Sequence, residues 1–289
     1  MSAQAYSGAA TLRQLVDDAS RALAEAGIEQ PRLEAQVLLA DAVNATRTQI
    51  IAGTVAAPDA GQLGRFRGWI QRRERREPFA WVRGIQEFYG IPFLVGPGVL
   101  VPRPETELMV EAALEFLAGR PAARVVDVCT GSGCVGIATA IHRPAASVLF
   151  IDLSAAAIEI AGRNAVRHGI QRRCAFMCAS LLKAVRGGLD LILCNPPYIS
   201  SGAIECLPPE VRHEPRIALD GGPTGLELPA EVIRQAAGVL APGGALMMEV
   251  GIGQIGALKQ LAERAGFLQT RAMKDLAGID RLLVAEIPA

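Results

Sequence analysis

VVDVCTGSGCVG, residues 125–136, sets a run of branched apolar residues against three closely spaced glycines, Gly131, Gly133 and Gly136. The branched run reads as a buried strand. The glycines read as a turn in which the backbone can pass close to a ligand and to the next helix, whose first amides would face an anionic or polar group. Alone, the pattern also fits a dinucleotide-binding dehydrogenase, or a glycine turn with no ligand at all. Its surroundings narrow the fold. A helix over about 105–118 precedes it, and SVLFID, a helix over 154–168, CAFMC and LDLILC follow. Farther on come a helix over 226–240, ALMMEVG, a helix over 254–265 and a last strand near 281–287. Strand and helix alternating in this way predict an α/β fold with a parallel, doubly wound sheet.

Two further signals fall where such a sheet would bind a ligand, at the carboxyl ends of its strands. Asp152 closes SVLFID about 20 residues after the glycines, a position from which a carboxylate can accept both hydroxyls of a ribose. It could equally cap the helix that begins near Ser154. Together with the glycines it points to a nucleoside cofactor without saying which.

The other signal is Asn195-Pro196-Pro197-Tyr198, directly behind LILC. Proline donates no ladder hydrogen bond, so the pair marks where the strand leaves the sheet. It can also be a rigid tool. A planar NH2 group, in a carboxamide or an adenine, is a poor nucleophile unless its protons are held and its nitrogen aimed. The Asn195 side-chain oxygen and the Pro196 carbonyl could accept those protons, and the Tyr198 ring could cover one face of the group. Hydride transfer has no use for such a clamp. Methyl transfer to nitrogen does.

Composition removes other classes. Lys and Arg total 29 and Asp and Glu total 29, so there is no overall basic field for holding DNA or RNA by its phosphates. Arg65, Arg67, Arg72, Arg73, Arg75 and Arg76 give one helix a basic face, which reads first as solvated. The apolar runs are too short to span a bilayer and no signal pattern opens the chain, so a cytoplasmic protein without membrane contact is expected. The six cysteines lack metal-ligand spacing, and no metal site is expected.

Before residue 84 the apolar positions recur at helical spacing, among them Leu12, Leu15, Val16, Ala19 and Leu23, then Leu33, Val37 and Leu38. This gives a helical domain over 1–83, a β-hairpin linker over 84–104, where Gly90, Pro92, Gly96 and Pro97 punctuate aromatic and branched residues, and the α/β domain over 105–289. Residues 199–225 carry no periodicity and are long for a structureless loop, which suggests a lid or recognition segment.

Across nearly its whole length the chain resembles the protein-(glutamine N5) methyltransferases that modify peptide chain release factors. The likeness runs through PRLEAQVLLA, RRERREPFAWVRG, EFYGIPF, VPRPETE, NPPYI, VRHEPRIALDGGPTGL and KDLAGIDR. NPPY is shared with other amino-group methyltransferases, whereas VPRPETE joined to NPPYI and EPRIALDGG is more specific. The resemblance implies a helical substrate-docking domain and a Rossmann-like, seven-stranded class I methyltransferase domain that uses S-adenosyl-L-methionine. It implies that Cys129, Thr130, Gly131, Ser132 and Gly133 surround the methionine part of the cofactor. Asp152 would hold the ribose, Asp127 and Ser180 would add cofactor contacts, and Asn195 would lie beside the transferred methyl. Asn195, Pro196, Pro197 and Tyr198 would clamp the glutamine of a Gly-Gly-Gln loop. The chain departs from the family pattern after CAFMC, where it reads Cys178-Ala179-Ser180, and its CTGSGC loop and RHEP are closer to sister enzymes that methylate a large-subunit ribosomal protein. An adenine amino methyltransferase, a non-catalytic partner-binding module and a small-molecule methyltransferase are the remaining alternatives.

Overall fold

A computed structural model describes residues 11–289. They fall into two compact units, one running to Gly84 and taking in Pro209–His213, the other made of Ile85–Pro208 and Glu214–Ala289.

The first unit is helical, with α1 (Leu12–Glu25), α2 (Pro31–Ala42), α3 (Arg47–Ala52), α4 (Ala60–Glu74) and α5 (Phe79–Arg83). Three of these starts are written in the sequence as reciprocal capping boxes, Thr11 with Gln14, Thr46 with Gln49 and Asp59 with Gln62, each satisfying backbone donors that the first turn leaves open. Pro31, whose missing N–H costs nothing at a first position, opens α2. Leu15, Val16, Leu23, Leu38, Leu39, Phe66 and Ile70 form the core. Three of the arginines over 65–76 are paired within this unit. Arg72 pairs with Glu77, Arg73 with Glu34 at 2.7 Å, and Arg76 with Glu210 at 2.7 Å.

The second unit opens on a hairpin of β1 (Ile85–Phe88) and β2 (Ile91–Leu94). Then come α6 (Glu107–Phe116), β3 (Arg124–Val128), α7 (Cys134–His142), β4 (Ser147–Asp152), α8 (Ala155–Arg167), β5 (Cys174–Cys178) and β6 (Leu189–Cys194). Past α9 (Pro209–His213), which counts with the helical unit, follow α10 (Glu227–Ala237), β7 (Leu240–Glu249), α11 (Ile255–Arg264), β8 (Gln269–Lys274) and β9 (Asp280–Glu286). Seven strands make one sheet in the order β5-β4-β3-β6-β7-β9-β8. Its first five strands are parallel, and β9 runs antiparallel to both of its neighbours.

Both faces of the sheet are covered, which is why its central strands are nearly continuous apolar runs. The pleat sends Val125, Leu191, Leu193 and Met247 to a core shared with α6 and α7, and Val126, Ile192, Leu246 and Met248 to one shared with α10 and α11. The sheet contains one strand the sequence reading lacks. QTRAMK, β8, lies at the edge with a mostly exposed burial pattern and no apolar alternation to betray it. Residues 199–225 are likewise less bare than expected, since short helical turns occupy 201–206, 209–213 and 216–218. No described helix is long and apolar enough to cross a membrane.

Candidate functional site

Strand order reverses beside β3, and the loops leaving β3, β4, β5 and β6 share the carboxyl edge of the sheet there. A cavity of about 510 Å³ opens on this edge. Asp127, Cys129, Thr130, Gly131, Ser132, Asp152, Ser180, Asn195 and Pro197 all line it, together with Gly98–Leu100, Arg103, Thr106 and Arg216–Ala218. Gly133, Pro196 and Tyr198, named with them in the sequence, do not reach its wall.

The glycine loop is shaped from beneath by Asp127. Its Oδ2 accepts from the Thr130 hydroxyl at 2.7 Å and from the Gly136 N–H at 3.0 Å, pulling the loop and the first turn of α7 onto the end of β3. The fit leaves no room at residue 136, where a Cβ would sit 2.6 Å from the Phe150 ring and 2.8 Å from Asp127 Oδ2. Gly131 is the opposite case, since a Cβ there would meet nothing within 4 Å. Burial pushes the Asp127 carboxyl up to about 7 despite its two donors.

Asp152 ends β4 with one carboxylate oxygen accepting from the Gly131 N–H and the other from the Ser154 N–H, each at 2.9 Å. The cap of α8 is Ser154, whose Oγ accepts from Ala157, so the capping role open to Asp152 is filled by its neighbour. Burial raises its carboxyl while those backbone donors lower it. Ser180 sits just past β5, exposed at the cavity mouth.

At the end of β6 the side chains form a relay. Asn195 Nδ2 donates to Thr106 Oγ1 at 3.3 Å, and Thr106 Oγ1 donates to Glu249 Oε2 at 2.6 Å. The Tyr198 hydroxyl donates to the other oxygen of the same carboxylate at 3.1 Å. Glu249 is 4 % exposed. Its carboxyl lies above the usual carboxylate range, because burial outweighs the Thr106 and Tyr198 hydrogen bonds that lower it. Among the described residues nothing donates to Asn195 Oδ1 or to the Pro196 carbonyl.

The long segment after the motif backs it. Ile199 N–H donates to Leu219 O at 3.0 Å and Gly221 N–H to Ile199 O at 2.8 Å, while Gln254 Nε2 holds the Tyr198 carbonyl at 2.9 Å. Glu214, also nearly fully buried, pairs with Arg103 at 2.7 Å and so ties VPRPETE to EPRIALDGG. His213, in the helical unit, has its Nε2 bonded to the Arg75 carbonyl at 3.0 Å. Thr106, Glu249 and Glu214 had no assigned place in the sequence reading. The signal for Glu249 was a carboxylate inside ALMMEVG, an otherwise apolar buried strand.

Comparison with known proteins accords with this layout. A profile described as the PrmC N-terminal domain matches residues 14–84, and one described as the methyltransferase small domain matches 105–207. A release factor glutamine methyltransferase of Moorella thermoacetica is 41% identical over 277 residues, 95% of this chain and 98% of the relative. The chain belongs to the release factor glutamine methyltransferase family. A second member, from Geobacter sulfurreducens, is 40% identical over 96% of this chain and 97% of its own length. Among solved structures, the hMettl16 catalytic domain in complex with an RNA hairpin aligns with a TM-score of 0.59 at 13% identity, covering 79% of this chain and 82% of that one. A methyltransferase from Pyrococcus furiosus aligns at 0.52 and 16%, covering 70% and 91%. These two show that the family's α/β unit has the methyltransferase fold.

Proposed function

We propose that this protein methylates the side-chain amide nitrogen of a glutamine in peptide chain release factors, with S-adenosyl-L-methionine as methyl donor. The observation that carries the reading is the polarity of Asn195. Its Nδ2 is engaged by Thr106, so Oδ1 is the end left to accept a proton, and the Pro196 carbonyl is a second acceptor without an internal donor. Two acceptors match the two protons of a primary amide.

The cavity suits the donor. Its volume lies within the range of about 300–1,000 Å³ usual for small-molecule sites. Gly131 leaves open the space a side chain would fill. Each Asp152 oxygen has one lone pair on a backbone N–H and one left for a ribose hydroxyl. Ile151, Leu153 and Leu181 line the wall and offer apolar surface to a planar base. We assign Cys129–Gly133 to the methionine end, with Asp127 as the residue that shapes this loop, Asp152 to the ribose and Ser180 to the adenine side. When bound, the cofactor supplies an electrophilic methyl group on a sulfonium.

The chain's own contribution is orientation. An amide lone pair is delocalised, so Asn195 Oδ1 and the Pro196 carbonyl hold the two protons and aim the nitrogen, and the paired prolines stiffen that backbone. Tyr198 stays a neutral phenol, because burial and the neighbouring Glu249 push its hydroxyl above its ordinary range, so it does not act as a base. The proton lost by the substrate nitrogen passes to water. Action on release factors assigns the protein to the cytoplasm, where translation terminates.

The test is mass spectrometry of a purified release factor after incubation with protein and cofactor, beside a large-subunit ribosomal protein and DNA. One added methyl on the glutamine of the Gly-Gly-Gln loop is expected. Asn195→Ala should abolish it while cofactor affinity stays within about tenfold, or ~1.4 kcal/mol; methylation at the wild-type rate in this variant would remove the clamp.

A further inference from the structure

Resting on that reading, we infer that Glu249 is a positioning residue, which acts through Thr106 to fix which end of the Asn195 amide faces the substrate. An asparagine amide is nearly symmetric in shape, and only its hydrogen-bond partners decide where oxygen and nitrogen go. A clamp that must accept protons works in one of the two orientations and repels the substrate amide in the other.

The relay selects the orientation by counting protons. Both oxygens of Glu249 are acceptors, since it receives the hydroxyl of Thr106 on Oε2 and that of Tyr198 on Oε1. Thr106 has a single hydroxyl proton, and at 2.6 Å it is given to Glu249. What Thr106 can offer Asn195 is therefore a lone pair, which only the NH2 end of the amide satisfies. Oδ1 is left on the side away from Thr106. The three groups come from distant parts of the chain: Thr106 precedes α6, Asn195 follows β6 and Glu249 ends β7. Thr106 and Glu249 are 3 % and 4 % exposed, so water does not compete for the choice. Neither residue needs to touch the substrate for this effect.

The relay can be reversed as a unit, which gives a test that a merely structural role would not pass. In Asn195→Asp, two carboxylates compete for the one proton of Thr106. Adding Glu249→Gln puts an amide at the far end of the relay, able to donate to Thr106 and accept from Tyr198. Thr106 then turns its proton to the carboxylate that Asn195→Asp introduces, whose other oxygen remains an acceptor. Turnover on a release factor, KM for that factor and cofactor affinity by calorimetry would be measured for Thr106→Val, Thr106→Ser, Asn195→Asp and the Asn195→Asp/Glu249→Gln double variant. Thr106→Val is expected to lower kcat by about tenfold or more with cofactor affinity within about threefold, and Thr106→Ser to restore it to within about threefold of wild type. The double variant should be at least about tenfold faster than Asn195→Asp alone. Wild-type kcat in Thr106→Val, or a double variant no faster than Asn195→Asp, overturns the inference. Should Thr106→Val not fold, the comparison of the double variant with Asn195→Asp still decides. If Asn195→Ala is inactive while Thr106→Val turns over normally, the relay fails and the clamp stands; if Asn195→Ala is active, the clamp itself falls.

Discussion

Burial holds the Asp127 carboxyl near 7, far above the value of about 3.9 it has in an unfolded chain. The sign of the resulting linkage is definite. A carboxyl with a raised folded pKa binds its proton more tightly in the folded state, so its contribution is fully present below about pH 4 and is lost as pH rises through about 7. Asp127→Asn keeps the shape and removes the titration. In urea unfolding, wild type should therefore gain stability relative to Asp127→Asn as pH falls from about 8 to about 5. A constant difference between the two would show that this carboxyl titrates alike in both states. At this scale the sequence was partly legible. Asp152 and Asn195 stand at strand ends within recognisable local patterns, whereas Thr106 and Glu249 take their roles from a meeting across 143 residues of chain that no local pattern encodes.

Among the elements, the segment that returns to the NPPY turn is the most constrained. Gly225 has φ +78, and a Cβ there would lie 2.3 Å from the Tyr198 carbonyl oxygen, a backbone atom that cannot swing aside. Gly225→Ala is expected to cost about 1–3 kcal/mol in thermal unfolding and to lower kcat through displacement of Tyr198. Full turnover in a stably folded Gly225→Ala protein would show that this backing is dispensable. The aperiodicity of residues 199–225 was visible in the sequence, but their function as a brace was not, because it consists of backbone hydrogen bonds and glycine contacts rather than of any side-chain pattern. Edge strand β8 escaped for a related reason: a strand with little buried surface carries no alternation. The central strands were legible because burial on both faces forces them to be apolar.

At the scale of the whole molecule, neither unit is one continuous piece of sequence. Pro209–His213 belongs with the helical unit, where Arg76 grips Glu210 through Nε and Nη2 at 2.7 and 2.8 Å and donates through Nη1 to the carbonyls of Ala26 and Gly27. Arg76→Ala removes all four bonds. A loss of about 1–3 kcal/mol is expected, with faster amide exchange at 209–213 and unchanged cofactor affinity. Protection at 209–213 equal to wild type would mean that the guanidinium does not hold this helix.

That threading also orders events at birth. Ribosomes release the chain from its N-terminus, and early domains ordinarily fold as they emerge. Here the helical unit is exposed first yet lacks its partner for Arg76 until residue 213 has emerged, by which time six strands and the NPPY turn are already outside. A nascent chain halted at residue 84 should thus be more readily cut by protease than the same helices in the finished protein.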